Sequence, residues 1–379
     1  MQLDLYTQVL LWGFSLAAIL GAVASKTSFC TMGGVSDWIN FGDKNRLRSW
    51  ILAMAVAILG IGFLEYLGMV DMSLTTSNDT SNPPYRTPTF VWLRNVVGGF
   101  LFGIGMTLTS GCGHKTLVRL GGGNMKSVIV LIVMSMAASV MIFTSFDYLV
   151  FLQWMMPLSI DFTEFGVSGQ DLGSVIVGLT GLDAQPMVWL LAALAVGLAM
   201  LVWVMKAAEF RANRELLPAG LIVGLLVVMI WYLTAGSIGQ ELLEEFDFMD
   251  QRPYAAGAQS FSFISPGAHI TQYVYQGFSP VYLSFGIIVV VGVAVGSFLY
   301  TLITRKLRIE WFASWSDFFN HVIGAILMGV GGILGMGCTI GQGITGVATL
   351  ALGSFVTVIA IIAGSAGTMK YQYYRITKE

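Results

Sequence analysis

Nine stretches of roughly 20 mostly apolar residues constrain the fold of this chain more than any other feature. One α-helix of that length crosses a lipid bilayer, and continuous apolar runs are not the alternating pattern of a membrane β-barrel. Only 11% of the 379 residues are charged, too few for the surface of a water-soluble protein. The sequence therefore predicts an all-α integral membrane protein with helices at residues 7–26, 47–70, 91–110, 126–146, 186–206, 216–235, 281–304, 318–336 and 346–370.

Basic residues mark alternate ends of these stretches. All but three of the 19 Lys and Arg residues follow the odd-numbered stretches, and the exceptions are Arg86, Arg94 and Arg252. The positive-inside rule then predicts a multi-pass protein of an inner (cytoplasmic) membrane, with its N-terminus outside and its C-terminus in the cytoplasm. The segment at 148–158 is predicted to be a short surface helix, because a tenth span would break the alternation. Glu65 and Arg94 are interpreted as interfacial residues at the outer helix ends.

Residues 98–112 align without gaps with residues 324–338, and each copy ends in Gly-Cys. The two copies lie on spans that cross the membrane in opposite directions, which indicates an inverted-topology repeat, a common feature of transport proteins. We divide the chain into a first half-repeat at 1–185, with Cys30 and Cys112, and a second at 186–379, with Cys338. Short re-entrant or broken helices are expected at the Gly-Cys motifs. The alternative is two ordinary glycine-packed helices. The matched glycines are Gly98, Gly103, Gly105 and Gly111 with Gly324, Gly329, Gly331 and Gly337.

The three cysteines all follow the end of an apolar span, beside small or hydroxyl residues. A sparse, odd set without a neighbouring His cluster predicts neither a disulfide framework nor a metal site, and no cofactor is expected. A single buried cysteine usually only packs, but three at helix breaks favour a role in binding. A thiol is a weak, polarizable donor, suited to a soft sulfur atom that must be released again. We therefore expect the breaks to approach each other inside the membrane.

Three motifs resemble the YeeE/YedE sulfur-transport family, and the likeness covers most of the chain: Phe29-Cys-Thr-Met-Gly-Gly, Gly111-Cys-Gly and Gly337-Cys-Thr-Ile-Gly-Gln-Gly. The resemblance implies an hourglass-shaped transporter, not an enzyme, that takes up thiosulfate along a route lined by three cysteines. It also implies a small cytoplasmic TusA-like sulfur-handling protein as a partner. The candidate residues of the substrate pathway are Cys30, Cys112, Cys338, Gly111, Gly113, Gly337, Thr339, Gln342, His114 and Lys26.

Further roles and alternatives follow from the same residues. Gln342 is a candidate amide donor to an oxyanion, Lys26 a candidate attractor near Cys30, and Lys115 is interpreted as a cytoplasmic loop residue. The chain has no basic run typical of nucleic-acid binding and no phosphate-binding P-loop. Three alternatives stay open: transport of a related sulfur or selenium species, a membrane thiol-redox or sulfane-sulfur transfer protein, and a scaffold whose cysteines only pack.

Overall fold

The computed structural model of the chain describes residues 4–181, 183 and 185–378. Residues 1–3, 182, 184 and 379 lie outside this description, and the ends of the two predicted halves fall partly on them. The described residues form α1 (Leu5–Thr27), α2 (Thr31–Phe41), α3 (Asn45–Tyr66), α4 (Trp92–Leu108), α5 (Gly113–Gly121), α6 (Lys126–Phe143), α7 (Gln153–Met155), α8 (Leu172–Thr180), α9 (Pro186–Met205), α10 (Ala208–Arg211), α11 (Leu216–Ala235), α12 (Ser237–Asp247), α13 (Ser265–Tyr275), α14 (Phe285–Ile303), α15 (Trp315–Leu334) and α16 (Leu352–Lys378).

The prediction of nine membrane-spanning stretches is confirmed. Within the described residues, nine helices are long and apolar enough to cross a membrane, and each contains most of one predicted stretch. Many of their large apolar side chains are exposed, among them Trp12, Ile132 and Leu191, as expected where lipid replaces water. The short apolar helix predicted at 148–158 is also present, beside a two-stranded antiparallel pair, β1 (Thr89–Phe90) and β2 (Ile160–Asp161).

The connecting segments separate into two groups. Those at 42–44, 122–125, 206–215 and 304–314 are short and carry seven Lys and Arg residues, against two in the other group, and we call their side the basic face. Those at 67–91, 144–185 and 236–284 are longer, and we call their side the long-loop face; they contain the short helices α7, α8, α12 and α13. On the basic face, the backbone of Arg308 donates a hydrogen bond to Gly122, which ties the end of α5 to the segment after α14.

The two glycine stripes of the repeat pack against each other, one on α4 and one on α15. A Cβ atom added at Gly105 would lie 2.5 Å from the carbonyl oxygen of Gly324, and one added at Gly324 would lie 2.7 Å from that of Gly105. Seven residues away, a Cβ at Gly331 would lie 2.6 Å from the carbonyl oxygen of Gly98. The pairing runs in opposite directions along the two helices. The copies are therefore antiparallel, as the sequence predicted, and their backbones touch because neither carries a side chain there.

Each repeat helix also contacts a helix of the other half of the chain. Gly103 of α4 packs against the backbone of α16, and its counterpart Gly329 of α15 packs against that of α6, where a Cβ would lie 2.6 Å from the carbonyl oxygen of Met134. The same glycine position thus makes the equivalent contact in both copies. This exchange is what an approximate two-fold axis between the copies requires.

Alanine at Gly105 or Gly324 should destabilise the protein by about 1–3 kcal/mol, because the added methyl group would overlap backbone atoms of the facing helix. The matched control is Gly367→Ala in α16, where an added Cβ meets no atom within 4 Å. That change should be neutral or slightly stabilising, since alanine favours helix more than glycine does. Thermal unfolding in detergent measures both. Equal midpoints for Gly324→Ala and Gly367→Ala would contradict the packing described here.

Candidate functional site

The three cysteines follow three helix breaks of the same local geometry. In each break, a residue other than glycine adopts a positive φ, and a cysteine follows two positions later at or near the start of the next helical segment. Such backbone is strained and tends to persist at functional sites. The break residues are Ser28 (φ 51°) before Cys30 and α2, Ser110 (φ 56°) before Cys112 and α5, and Met336 (φ 60°) before Cys338 and the π-helical turn Gly341–Gly346.

The fold brings these three thiols into one cluster. The side chains of Cys30 and Cys112 are in contact, Cys112 also lies beside Thr339, and Cys338 is within electrostatic range of Cys112. All three cysteines are buried free thiols. The two Gly-Cys breaks therefore approach each other, and the first break of the chain joins them.

Backbone amides surround the sulfur atoms. The Cys338 Sγ accepts a hydrogen bond from the N–H of Gly341 at 3.4 Å, and the N–H groups of Ile340 and Phe263 lie within range of it. The Cys30 Sγ accepts from the N–H of Gly33 at 3.5 Å. Converging N–H dipoles make these positions compatible with negative charge on or near sulfur.

A cavity of about 480 Å³ leads from the long-loop face to the second repeat break, where Met336 and Gly337 line its inner end. Arg94 lines the same cavity, and its Nε donates to the carbonyl oxygen of Leu334 at 2.8 Å. The sequence interpretation of Arg94 as an interfacial residue at an outer helix end did not identify this contact with the end of α15. Burial lowers the pKa of His269, also in the lining, to about 4, so this ring carries no charge at pH 7.

Among the described residues, Arg94 is the positively charged side chain that lines that cavity. Asp147 lies close enough to interact with it, and no ion pair within 4.0 Å joins the two side chains. Burial raises the pKa of the Asp147 carboxyl, while the positive charge of Arg94 lowers it. The Arg94 guanidinium therefore has a hydrogen-bonding edge without a carboxylate partner. This edge lies close to the break that carries Cys338.

A second cavity, of about 440 Å³, opens on the basic face and reaches the first repeat break at Thr109 and Ser110. Its lining carries more basic than acidic side chains, and one of the two acids, Asp317, is paired with Lys126 at 2.7 Å. The two cavities thus end at the two antiparallel breaks from opposite faces. The cysteine cluster lies between their ends.

The sequence did not lead us to predict the positions of Lys115 and Arg119. Both lie on α5, half-buried, and both are close enough to act electrostatically on the Cys30 thiol. The interpretation of Lys115 as a loop residue was wrong, because the helix resumes directly after Cys112. Their spacing could have revealed them, since residues three and seven positions after Cys112 share one face of a helix. Lys26, by contrast, is exposed at the end of α1.

The remaining candidates are buried around the cluster. Gln342 uses its amide nitrogen on the carbonyl oxygen of Gly335 at 2.9 Å and leaves its Oε1 without a partner. His114 packs its ring against Phe263, with centroids 5.2 Å apart, and its Nε2 has no partner. Gly111, Gly113 and Gly337 are buried at the breaks, where Gly337 has a φ of 155° that favours glycine.

In the described part of the chain, no group of three or more His, Cys, Asp or Glu side chains, the three cysteines included, is placed so that it could hold a metal ion. The site therefore offers thiols, hydroxyls, amides and flanking cations. Such a set binds anions through hydrogen bonds and charge, and it releases them when each contact is weak.

Comparison with known proteins gives concordant matches. The profile of a family described as "Sulphur transport" matches residues 26–367. The thiosulfate transporter TsuA of Escherichia coli is 25% identical over 362 residues, covering 94% of this chain and 92% of that protein. The thiosulfate transporter TsuA of Spirochaeta thermophila is 23% identical over 378 residues, covering 97% of this chain and 100% of that protein.

Proposed function

The chain belongs to the sulphur transport family and is a multi-pass membrane transporter of sulfur compounds; from that premise we propose that it takes up thiosulfate. The observation that carries this proposal is the cluster of three thiols between two cavities that open to opposite faces. Both relatives described above are named thiosulfate transporters. Neither is named as an enzyme, and the chain's function is transport rather than catalysis.

The proposed route starts in the cavity on the long-loop face. Arg94 attracts the dianion there, and Gly337 leads it to Cys338. Cys112 comes next, because its side chain interacts with both other cysteines. Cys30 is last, since it lies nearest the cations Lys115 and Arg119 on the basic side of the cluster. The solute then leaves toward the basic face.

Weak contacts suit this route. Thiosulfate carries a soft terminal sulfur, and a thiol donates only a weak hydrogen bond to it. Conduction needs sites that bind strongly enough to admit the ion and weakly enough to release it. A direct contact with a buried, unscreened Arg or Lys would hold a dianion far more tightly. We therefore place Arg94 and Lys115 at the two approaches to the thiols, with the cysteines at the centre.

Uptake by the purified protein in liposomes tests the function. Radiolabelled thiosulfate should accumulate in a saturable manner, and excess unlabelled thiosulfate should compete with it. Protein-free liposomes provide the background. If sulfite, sulfide or selenite were taken up and thiosulfate were not, the chain would transport a related sulfur or selenium species instead.

Orientation, membrane and partner are part of the same proposal. The concentration of Lys and Arg on the basic face supports a cytoplasmic location for that face in an inner membrane, with the N-terminus outside and the C-terminus in the cytoplasm. A TusA-like protein would receive the sulfur compound there. The division into halves at 1–185 and 186–379 stays a prediction, as does the part of Lys26 in the route.

A further inference from the structure

Two Cys-Thr pairs in the site contain hydroxyl groups that are buried without an oxygen or nitrogen partner. Thr31 follows Cys30 and Thr339 follows Cys338, and their side chains are 2% and 1% exposed. Neither Oγ1 atom has an oxygen or nitrogen partner, and Thr339 meets only the weakly hydrogen-bonding thiol of Cys112. A buried hydroxyl normally finds such a partner, as Thr345 does with the carbonyl oxygen of Phe261 at 3.0 Å. Two buried hydroxyls without an oxygen or nitrogen partner, in the same sequence context, therefore indicate a ligand that would complete their hydrogen bonding.

The position of Thr339 shows where such a ligand would bind. Its backbone follows Cys338, and its side chain lies beside Cys112. The hydroxyl therefore lies near two of the three thiols, in the region between the two cavities. At Cys112, which no threonine follows, the buried His114 Nε2 two residues later is also unpartnered.

We propose that the hydroxyls of Thr31 and Thr339 donate hydrogen bonds to the oxygen atoms of the anion while the neighbouring thiols contact its terminal sulfur. This inference rests on the proposed function. Each Cys-Thr pair then recognises both ends of thiosulfate. Sulfate lacks the soft sulfur, and hydrosulfide lacks the oxygens, so each satisfies only half of a pair.

Valine at Thr31 and Thr339 provides the test, because it keeps the shape of threonine and removes only the hydroxyl. A hydrogen bond to a charged group is strong enough that its loss should raise the KM for thiosulfate about tenfold or more. Serine keeps the hydroxyl and should restore the KM to near the wild-type value. Competition by hydrosulfide, which has no oxygen atoms, should change little in the valine variants. This comparison would distinguish recognition of the sulfur end of the anion from recognition of its oxygen end.

Stability without solute distinguishes this role from a structural one. Removing a buried hydroxyl that has no oxygen or nitrogen partner should leave the apparent Tm unchanged or raise it, whereas removing a structural hydrogen bond should lower it. The control is Thr301→Val in α14, whose hydroxyl donates to the carbonyl oxygen of Gly121 at 3.0 Å. This variant should lose stability and keep its KM.

The inference is overturned if both valine variants transport thiosulfate with the wild-type KM and the wild-type preference over hydrosulfide. The hydroxyls would then bind only ordered water. That result differs from failure of the proposed function, in which the unmodified protein itself does not take up thiosulfate.

Discussion

Alanine at Cys112 should reduce thiosulfate uptake to the level of protein-free liposomes. The Cys112 side chain contacts Cys30, lies beside Thr339 and interacts with Cys338, so a solute passing between the other two thiols meets it. Alanine would leave a gap between the two remaining sulfur contacts. Initial uptake rates of radiolabelled thiosulfate by the reconstituted variant measure the effect.

Folding has to be separated from transport in this variant. The change removes one buried sulfur atom and only the weak thiol contacts with Cys30 and Thr339, so the unfolding midpoint in detergent should stay close to that of the wild type. Cys112→Ser is the matched control for size. It restores volume and a hydrogen-bond donor but replaces a soft atom with a hard one, and it should also transport poorly. Normal uptake by either variant would reject a role for this thiol.

Glutamine at Glu65 should destabilise the protein by about 3–5 kcal/mol, because it leaves the Arg86 guanidinium buried without its carboxylate. Arg86 is 4% exposed and forms a bidentate pair with Glu65, at 2.6 and 2.8 Å. Its Nε also donates to the carbonyl oxygen of Thr349 at 3.0 Å. The pair thus joins α3 to the turn before α16, which follows the break that carries Cys338. Thermal unfolding in detergent measures the loss.

Two further variants show whether the cause is an uncompensated charge. The double variant Glu65→Leu with Arg86→Met removes both charges and should recover most of the stability, since apolar replacement of a whole buried pair is often neutral. Asp247→Asn breaks the exposed ion pair with Arg252, in which the charged atoms are 3.8 Å apart. This change should lower the free energy of unfolding by less than about 1 kcal/mol. A Glu65→Gln variant as stable as Asp247→Asn would show that the buried pair contributes little.

The same pair also shows what the sequence interpretation of Glu65 did not include. Glu65 was interpreted as an interfacial residue because it lies near the outer end of its apolar stretch. Its partner comes from a loop 21 residues further along the chain, and pairing across a loop leaves no periodic pattern in the sequence. The contacts of Arg94 could not be predicted for the same reason, since its partner carbonyls belong to α15.

The membrane-spanning helices were predictable because lipid imposes a local requirement. Each span must be long and apolar enough to cross the hydrocarbon layer, and that property can be measured in any window of the sequence. The broken helices were predictable too, since glycine followed by cysteine interrupts the same apolar stretch in both repeat copies. Their antiparallel contact followed from the opposite directions of the two spans.

By itself, the sequence determined the class of fold, the number of spans, the repeat, and the three cysteines as candidates. The tertiary structure alone decided which groups meet: Lys115 and Arg119 beside Cys30, Arg94 at the end of a cavity, and Thr339 near two thiols. The physical reason is that a helix surrounded by lipid is apolar on nearly every side. Its hydropathy therefore predicts that the helix spans the membrane. Close packing of backbones and side chains determines which side of the helix faces its neighbours.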